Sequence, residues 1–298
     1  MHPAADPDAR RLQRLAFAAL LIANVVLAFG PWMVRLADVG PVAAGFWRLA
    51  IALPFLFAMA RIAAPRPFAG ITRGMAVTLL LGGLFFAADL AAWHAGILHT
   101  KLANATLFGN MSGFLLAAYG FVVMRMLPRP VQTIAIALAM VGTVLLLGSS
   151  YELSPQNLAG DLLTLLAGVF YACYLIAVDR ARKALAPIPV LALATLAGLL
   201  PLLIAALVLG ETVVPQDWTP LILLSLGSQV IGQGLLVFAM GHLSPLVVGL
   251  GLLMQPVLAA AIGWAAYGEG FSVTDAAGAL LICVALVLIR LPERRAPA

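Results

Sequence analysis

The sequence predicts an all-α polytopic membrane protein, with ten transmembrane helices arranged as two inverted five-helix repeats. Three observations carry this reading. First, 63% of the 298 residues are hydrophobic and only 10% are charged, with a mean hydropathy of +1.07. A soluble globule carries about a quarter charged residues, so that class is excluded. Second, ten apolar stretches follow one another at 12–34, 41–60, 74–98, 102–124, 130–148, 160–178, 187–209, 218–240, 243–266 and 272–290. Each is near the ~20 residues that cross a hydrocarbon core as a helix. Third, fourteen of the 17 Lys and Arg residues fall in the tails and connections on one side, and only Arg35 and Lys101 on the other. The positive-inside rule then places both termini in the cytoplasm, as expected of a protein of the bacterial inner membrane.

The elements follow in order. Arg10, Arg11 and Arg14 precede the first span, which ends in Gly30-Pro31-Trp32 with no small-residue cleavage site. It is therefore read as a retained helix and not as a signal peptide. The connections Ala63–Pro67, Leu127–Pro130 and Ala186–Pro189 are short and proline-rich, so consecutive helices are antiparallel neighbours. Five spans precede the Tyr151–Asn157 connection and five follow it, giving two units, residues 1–150 and 151–298. An odd number of spans per unit inverts the second relative to the first. Sliding the chain by 144 positions sets Leu79-Leu80 and Gly83 on Leu223-Leu224 and Gly227, and Asp89 on Gln233. In the ninth span Pro256 frees the carbonyl of Leu252 and bends the helix or turns that carbonyl to a cavity. Trp32, Trp218 and Trp264 stand near span ends, as headgroup anchors do. Cys173 and Cys283 sit in apolar stretches as small hydrophobes, with no disulfide expected.

Ionisable groups within spans are costly and each needs an account. Arg48 in the second span and Asp89 in the third lie at matching depth, roughly 12 to 13 Å from the same end at 1.5 Å per residue. One reading is a structural ion pair; the other is that one or both face a wet cavity and meet a zwitterionic or charged substrate. On the third span Gly82, Phe85, Asp89, Trp93 and Gly96 recur at helical spacing as a cavity wall. His94 lies about 140° around the helix from Asp89, against a proton relay on one face. The eighth span carries its own stripe, Ser225, Gln229 and Gln233. With Asn24, Asn110, Tyr171 and Gln255, these residues outline a substrate cavity between the halves, lined by spans 1, 3, 4, 6, 8 and 9. The alternative for the amides and hydroxyls is hydrogen bonding between helices.

The missing chemistry narrows the function. There is no G-x-x-x-x-G-K-[ST] loop, no H-E-x-x-H, no G-x-S-x-G and no Cys/His cluster at metal spacing, so an enzyme, a cofactor and a metal site are not expected. The formal charge of +5 is scattered in ones to threes, so no nucleic acid is expected. No obligate protein partner is evident either. A passive pore would show a repeated filter. What fits is a secondary transporter whose partners are a small molecule and the lipid bilayer. Phosphorylated sugars or nucleotides need several intramembrane cations, and only Arg48 is present.

The segment Gly30-Pro31-Trp32-Met33-Val34-Arg35, then Pro41 and Phe46-Trp47-Arg48-Leu49-Ala50, resembles the first EamA-type unit of the drug/metabolite transporter superfamily. The segment from Ala239-Met240 through Ser244-Pro245 to Pro256, Gly268-Glu269 and Gly278 is similar to the close of the second unit. The first half departs from the pattern where Arg125 to Pro130 replaces the usual glutamate, and where Ser112 stands in place of the proline seen at Pro256. Within the superfamily the chain looks closest to the YddG-like amino-acid exporters. That resemblance implies a ten-helix inverted-repeat fold, a central cavity and export of amino acids by alternating access. Efflux of other small metabolites or drugs, or a passive pore, is the alternative.

Overall fold

The computed structural model describes residues 7–100, 102–148, 155–267 and 272–290, and every regular element in them is helical. The expected division at 150 and 151, and the residues Lys101 and Glu269, lie outside the described residues. Eight helical stretches, from Arg11–Leu36 to Pro245–Ile262, are long and apolar enough to cross a membrane. Two shorter apolar helices, Pro130–Leu146 and Val273–Ile289, stand where the fifth and tenth spans are expected. The chain is an all-α multi-pass membrane protein.

Four of the expected spans are interrupted. The first is α1 (Pro7–Ala28) followed by α2 (Gly30–Leu36), with Pro31 in the opening turn of α2, where its missing N–H has no partner to lose. α3 (Pro41–Ala63) and α4 (Arg73–Gly96) are continuous, and Thr72 caps α4 by accepting the Met75 N–H at 3.3 Å. The fourth span breaks at Asn110 into α5 (Leu102–Gly109) and α6 (Met111–Met124). α7 (Pro130–Gly148), α8 (Leu158–Arg182) and α9 (Pro187–Val208) are continuous. The eighth span widens from α10 (Thr219–Leu224) into a π-helical segment, Ser225–Gly232, before α11 (Gln233–Met240). The ninth breaks at Leu253, between α12 (Pro245–Leu252) and α13 (Met254–Tyr267), one residue past the Leu252 carbonyl that Pro256 leaves without a helical donor. α14 (Val273–Arg290) closes the described chain.

The centre of the bundle is α4 packed on α8 and α9, with α3 on α9. α6 lies on α12, and α7 on α14. The α6/α12 crossing is set by two glycines. A Cβ at Gly113 would stand 2.6 Å from the Gly249 carbonyl, and one at Gly249 2.8 Å from the Ala117 amide. Only backbone against backbone fits there, the small-residue contact by which membrane helices approach closely. Both cysteines are free thiols.

At one end of the bundle the α2–α3 and α9–α10 connections clasp each other. The Glu211 carboxylate accepts the N–H groups of Val42 (3.2 Å) and Ala43 (2.7 Å), which α3 leaves unpaired in its first turn. Asp38 reciprocates by accepting from the amides of Gln216 (2.6 Å) and Asp217 (3.2 Å). Trp47 Nε1 donates to the Val213 carbonyl at 2.6 Å, and its ring meets Trp218 edge-on, centroids 4.8 Å apart. Trp218 is thus part of this clasp, beyond the anchoring role expected of it. At the other end the Arg182 guanidinium donates to the carbonyls of Val237 (3.0 Å) and Leu185, tying α8 to α11.

Candidate substrate cavity

A cavity of about 260 Å³ occupies the middle of the bundle and the half nearer the Glu211 clasp. Its mouth is marked by Trp32 and Arg35 of α2, so Trp32 faces the cavity and is more than a headgroup anchor. Ser112, Leu252 and Gly109 lie deep in it. One residue beyond Ser112, Gly113 meets Gly249, and this crossing, beside buried Leu253, adjoins the cavity.

α3 brings Arg48 to the wall and α4 brings Asp89. Among the described residues no ion pair joins them. The direct pairing of one of the two readings is not made; the guanidinium is held through one nitrogen by another partner. Its Nε donates to Gln229 Oε1 at 3.0 Å, and its carbon stands over the Phe86 ring, 5.6 Å from the centroid. Such a cation over an aromatic face is attracted by the ring quadrupole.

Trp93, Asn110, Tyr171, Gln233 and Gln255 also line the cavity, alongside Arg48 and Asp89. Gln233 holds two rings in place: its Nε2 donates to the Tyr171 hydroxyl (3.2 Å), and its Oε1 accepts from Tyr174 (3.4 Å). Phe86 stacks on Tyr174 with centroids 4.6 Å apart, and Tyr171 lies 5.8 Å from Tyr174. The result is an aromatic wall from which Phe86, Trp93 and Tyr171 line the cavity.

Two residues expected in the cavity stand behind its wall. Asn24 is buried between α1 and α12, with Nδ2 donating to the carbonyls of Leu20 (2.8 Å) and Gly251 (3.1 Å). Gln229 is fully buried, its Nε2 donating to Thr195 Oγ1 at 2.9 Å while its Oε1 receives Arg48. The α4 stripe also divides. Gly82 and Gly96 let α4 approach α8, and Phe85 stacks on Phe170 of that helix. The cavity face of α4 carries Phe86, Asp89, Leu90 and Trp93 instead. The second span, left out of the expected lining, contributes Gly45 as well as Arg48. His94 also reaches the lining despite its angular distance from Asp89, since the cavity wraps around more than one face of α4.

A polar and aromatic chamber enclosed by apolar helices is the kind of site that a membrane transporter for small molecules uses. Residues 158–291 match the model of the EamA-like transporter family, whose members are transporters and not enzymes. Secondary transport of a small molecule across a lipid bilayer is the general function of that family. One solved crystal structure of a protein is similar to 94% of this chain and 96% of its own, with a TM-score of 0.76 and 19% identity, a likeness of fold alone. A comparison with the curated proteins found no match. Among the described residues no group of three or more His, Cys, Asp or Glu is placed to hold a metal ion.

Proposed function

We propose that this chain exports small amphipathic metabolites, amino acids first among them, from the cytoplasm across a bacterial inner membrane by alternating access through the central cavity. The observation that carries this is the cavity's composition. It has Arg48 and Asp89 facing one chamber with Arg35 at its mouth, amides at Asn110, Gln233 and Gln255, and an aromatic wall, within about 260 Å³. That volume is at the small end for ligand pockets and suits a solute of few atoms. The mixed charge suits a neutral zwitterion better than a phosphate ester or a lipophilic cation.

The inverted-repeat reading, with units 1–150 and 151–298, is supported by the helix breaks. Asn110 and Leu253 interrupt the fourth and ninth spans 143 residues apart, one short of the 144-residue shift seen in sequence. Asp89 and its shifted counterpart Gln233 both line the cavity. Substrate sites between such repeats stand near the midplane, beside interrupted helices.

Counterflow in proteoliposomes tests the reading. Labelled L-amino acids are expected to exchange, while nucleobases and cationic dyes do not; exchange of either of those in place of amino acids removes the substrate assignment.

A further inference from the structure

We infer that Gln229 is a positioning residue which holds Arg48 away from Asp89, so that a substrate with its carboxylate on Arg48 and its ammonium on Asp89 bridges the two. This rests on the transporter reading above and deepens it. Two opposite charges sharing a low-dielectric chamber attract over several ångströms. Left to themselves they collapse into a pair and cancel the site. Here the guanidinium is tethered on the far side. Gln229 Oε1 accepts from Nε at 3.0 Å, and Gln229 is oriented in turn by its 2.9 Å bond to Thr195 on α9. The neighbouring helix turn holds the same residue by its backbone: Ser225 Oγ donates to the Arg48 carbonyl at 2.9 Å. Both grips come from the π segment Ser225–Gly232, whose wider turn keeps Ser225 and Gln229 on the α3 side of the eighth span.

The tether leaves the useful part of Arg48 unspent. Nε goes to Gln229, while the terminal nitrogens, the fork that matches a carboxylate with two parallel bonds, donate to no described protein acceptor. Nor does the Asp89 carboxylate accept any described protein donor. An α-amino acid presents its nitrogen about 2.5 Å from its carboxyl carbon, so it offers both charges at one end and leaves the side chain for Phe86, Trp93 and Tyr171.

The test uses the whole chain in lipid nanodiscs, titrated calorimetrically with L-phenylalanine, phenethylamine (no carboxylate) and 3-phenylpropionate (no ammonium). Wild type is expected to bind phenylalanine at least ten-fold more tightly than either analogue. Gln229→Leu is expected to lose ten-fold or more for phenylalanine as Arg48 swings onto Asp89. Adding Asp89→Asn to Gln229→Leu removes the partner of that collapse and is expected to restore 3-phenylpropionate binding to the wild-type level. A merely structural role for Gln229 leaves the double variant no better than the single. Thr195→Val, a near-isosteric change one bond further back, is expected to weaken both phenylalanine and 3-phenylpropionate about three-fold, and adding Asp89→Asn is expected to restore 3-phenylpropionate alone. Equal binding of all three compounds by wild type, an unaffected Gln229→Leu, or no recovery in the double variants overturns the inference. If wild type binds none of the three yet counterflows another solute class, this inference falls and the transporter reading stands. Discriminating binding without counterflow of any solute does the reverse.

Discussion

The two ends of the bundle are held shut by different physics. At the cavity end the contacts are polar and peripheral: Glu211 and Asp38 accept backbone amides across two loops, and Trp47 leans on Trp218, while the centre between them stays open. At the opposite end the contact is central and apolar, α6 on α12 through Gly113 and Gly249, with Arg182 tying α8 to α11 at the side. The lesson is that α5 and α13, beyond the breaks at Asn110 and Leu253, are released to lean on other neighbours, α5 on α8 and α13 on α1. The helix breaks turn one pair of spans into a tight crossing below and a chamber above.

Substitution at the crossing has the largest expected effect. Gly249→Ala places a methyl group against the Ala117 amide at 2.8 Å, and backbone cannot rotate away as a flexible side chain can. Overpacking of this kind typically costs about 1 to 3 kcal/mol, read as a lower melting temperature in detergent. Gly74→Ala, where nothing lies within 4 Å of the added Cβ, is the control and should be neutral or slightly stabilising. Equal behaviour of the two would dissolve the contrast between the ends.

A smaller effect is expected at the clasp. Glu211→Ala strips two amides at the start of α3 of their acceptor, comparable to loss of a helix cap at about 0.5 to 2 kcal/mol. The loss should show as faster hydrogen exchange at Val42 and Ala43 while the amides of α6 and α12 stay protected. Acceleration spread evenly over both ends would mean that they are not separate closures.

The third measurement leaves stability untouched and assigns the ends to their compartments. With Cys173 and Cys283 replaced, a cysteine at Gln156 should react only with reagent outside the cell, and one at Ala64 only from the cytoplasm. The reverse pattern would turn the cavity end inward and overturn the orientation drawn from the Lys and Arg distribution.

Much of this architecture was legible from hydropathy, because each helix must satisfy its own backbone in lipid and so announces itself as an unbroken apolar run. The observed ends fall within a few residues of the expected ones, and Pro256 marked the ninth-span break. The break at Asn110 and the π segment had no such marker; no proline stands at either, and tertiary contacts set them. The site was half legible. Rarity marks a polar side chain in a span as significant, and this picked out Arg48, Asp89, Trp93, Asn110, Tyr171, Gln233 and Gln255, all of which line one cavity. Periodicity tells which residues share a helix face but not what that face meets. Asn24 and Gln229 therefore looked like cavity residues and are instead bonded to Gly251 and Thr195. Phe86 and His94 also reach the lining, because the chamber wraps around α4 and a single helical stripe does not describe its wall.

The glycine crossing also bears on the two charges of the chamber. Gly113, Gly249, Leu252 and Leu253 bring no titratable side chain and no spare hydroxyl to this contact. Arg48 and Asp89 are therefore separated from the Arg182 end of the bundle by apolar backbone contact between α6 and α12.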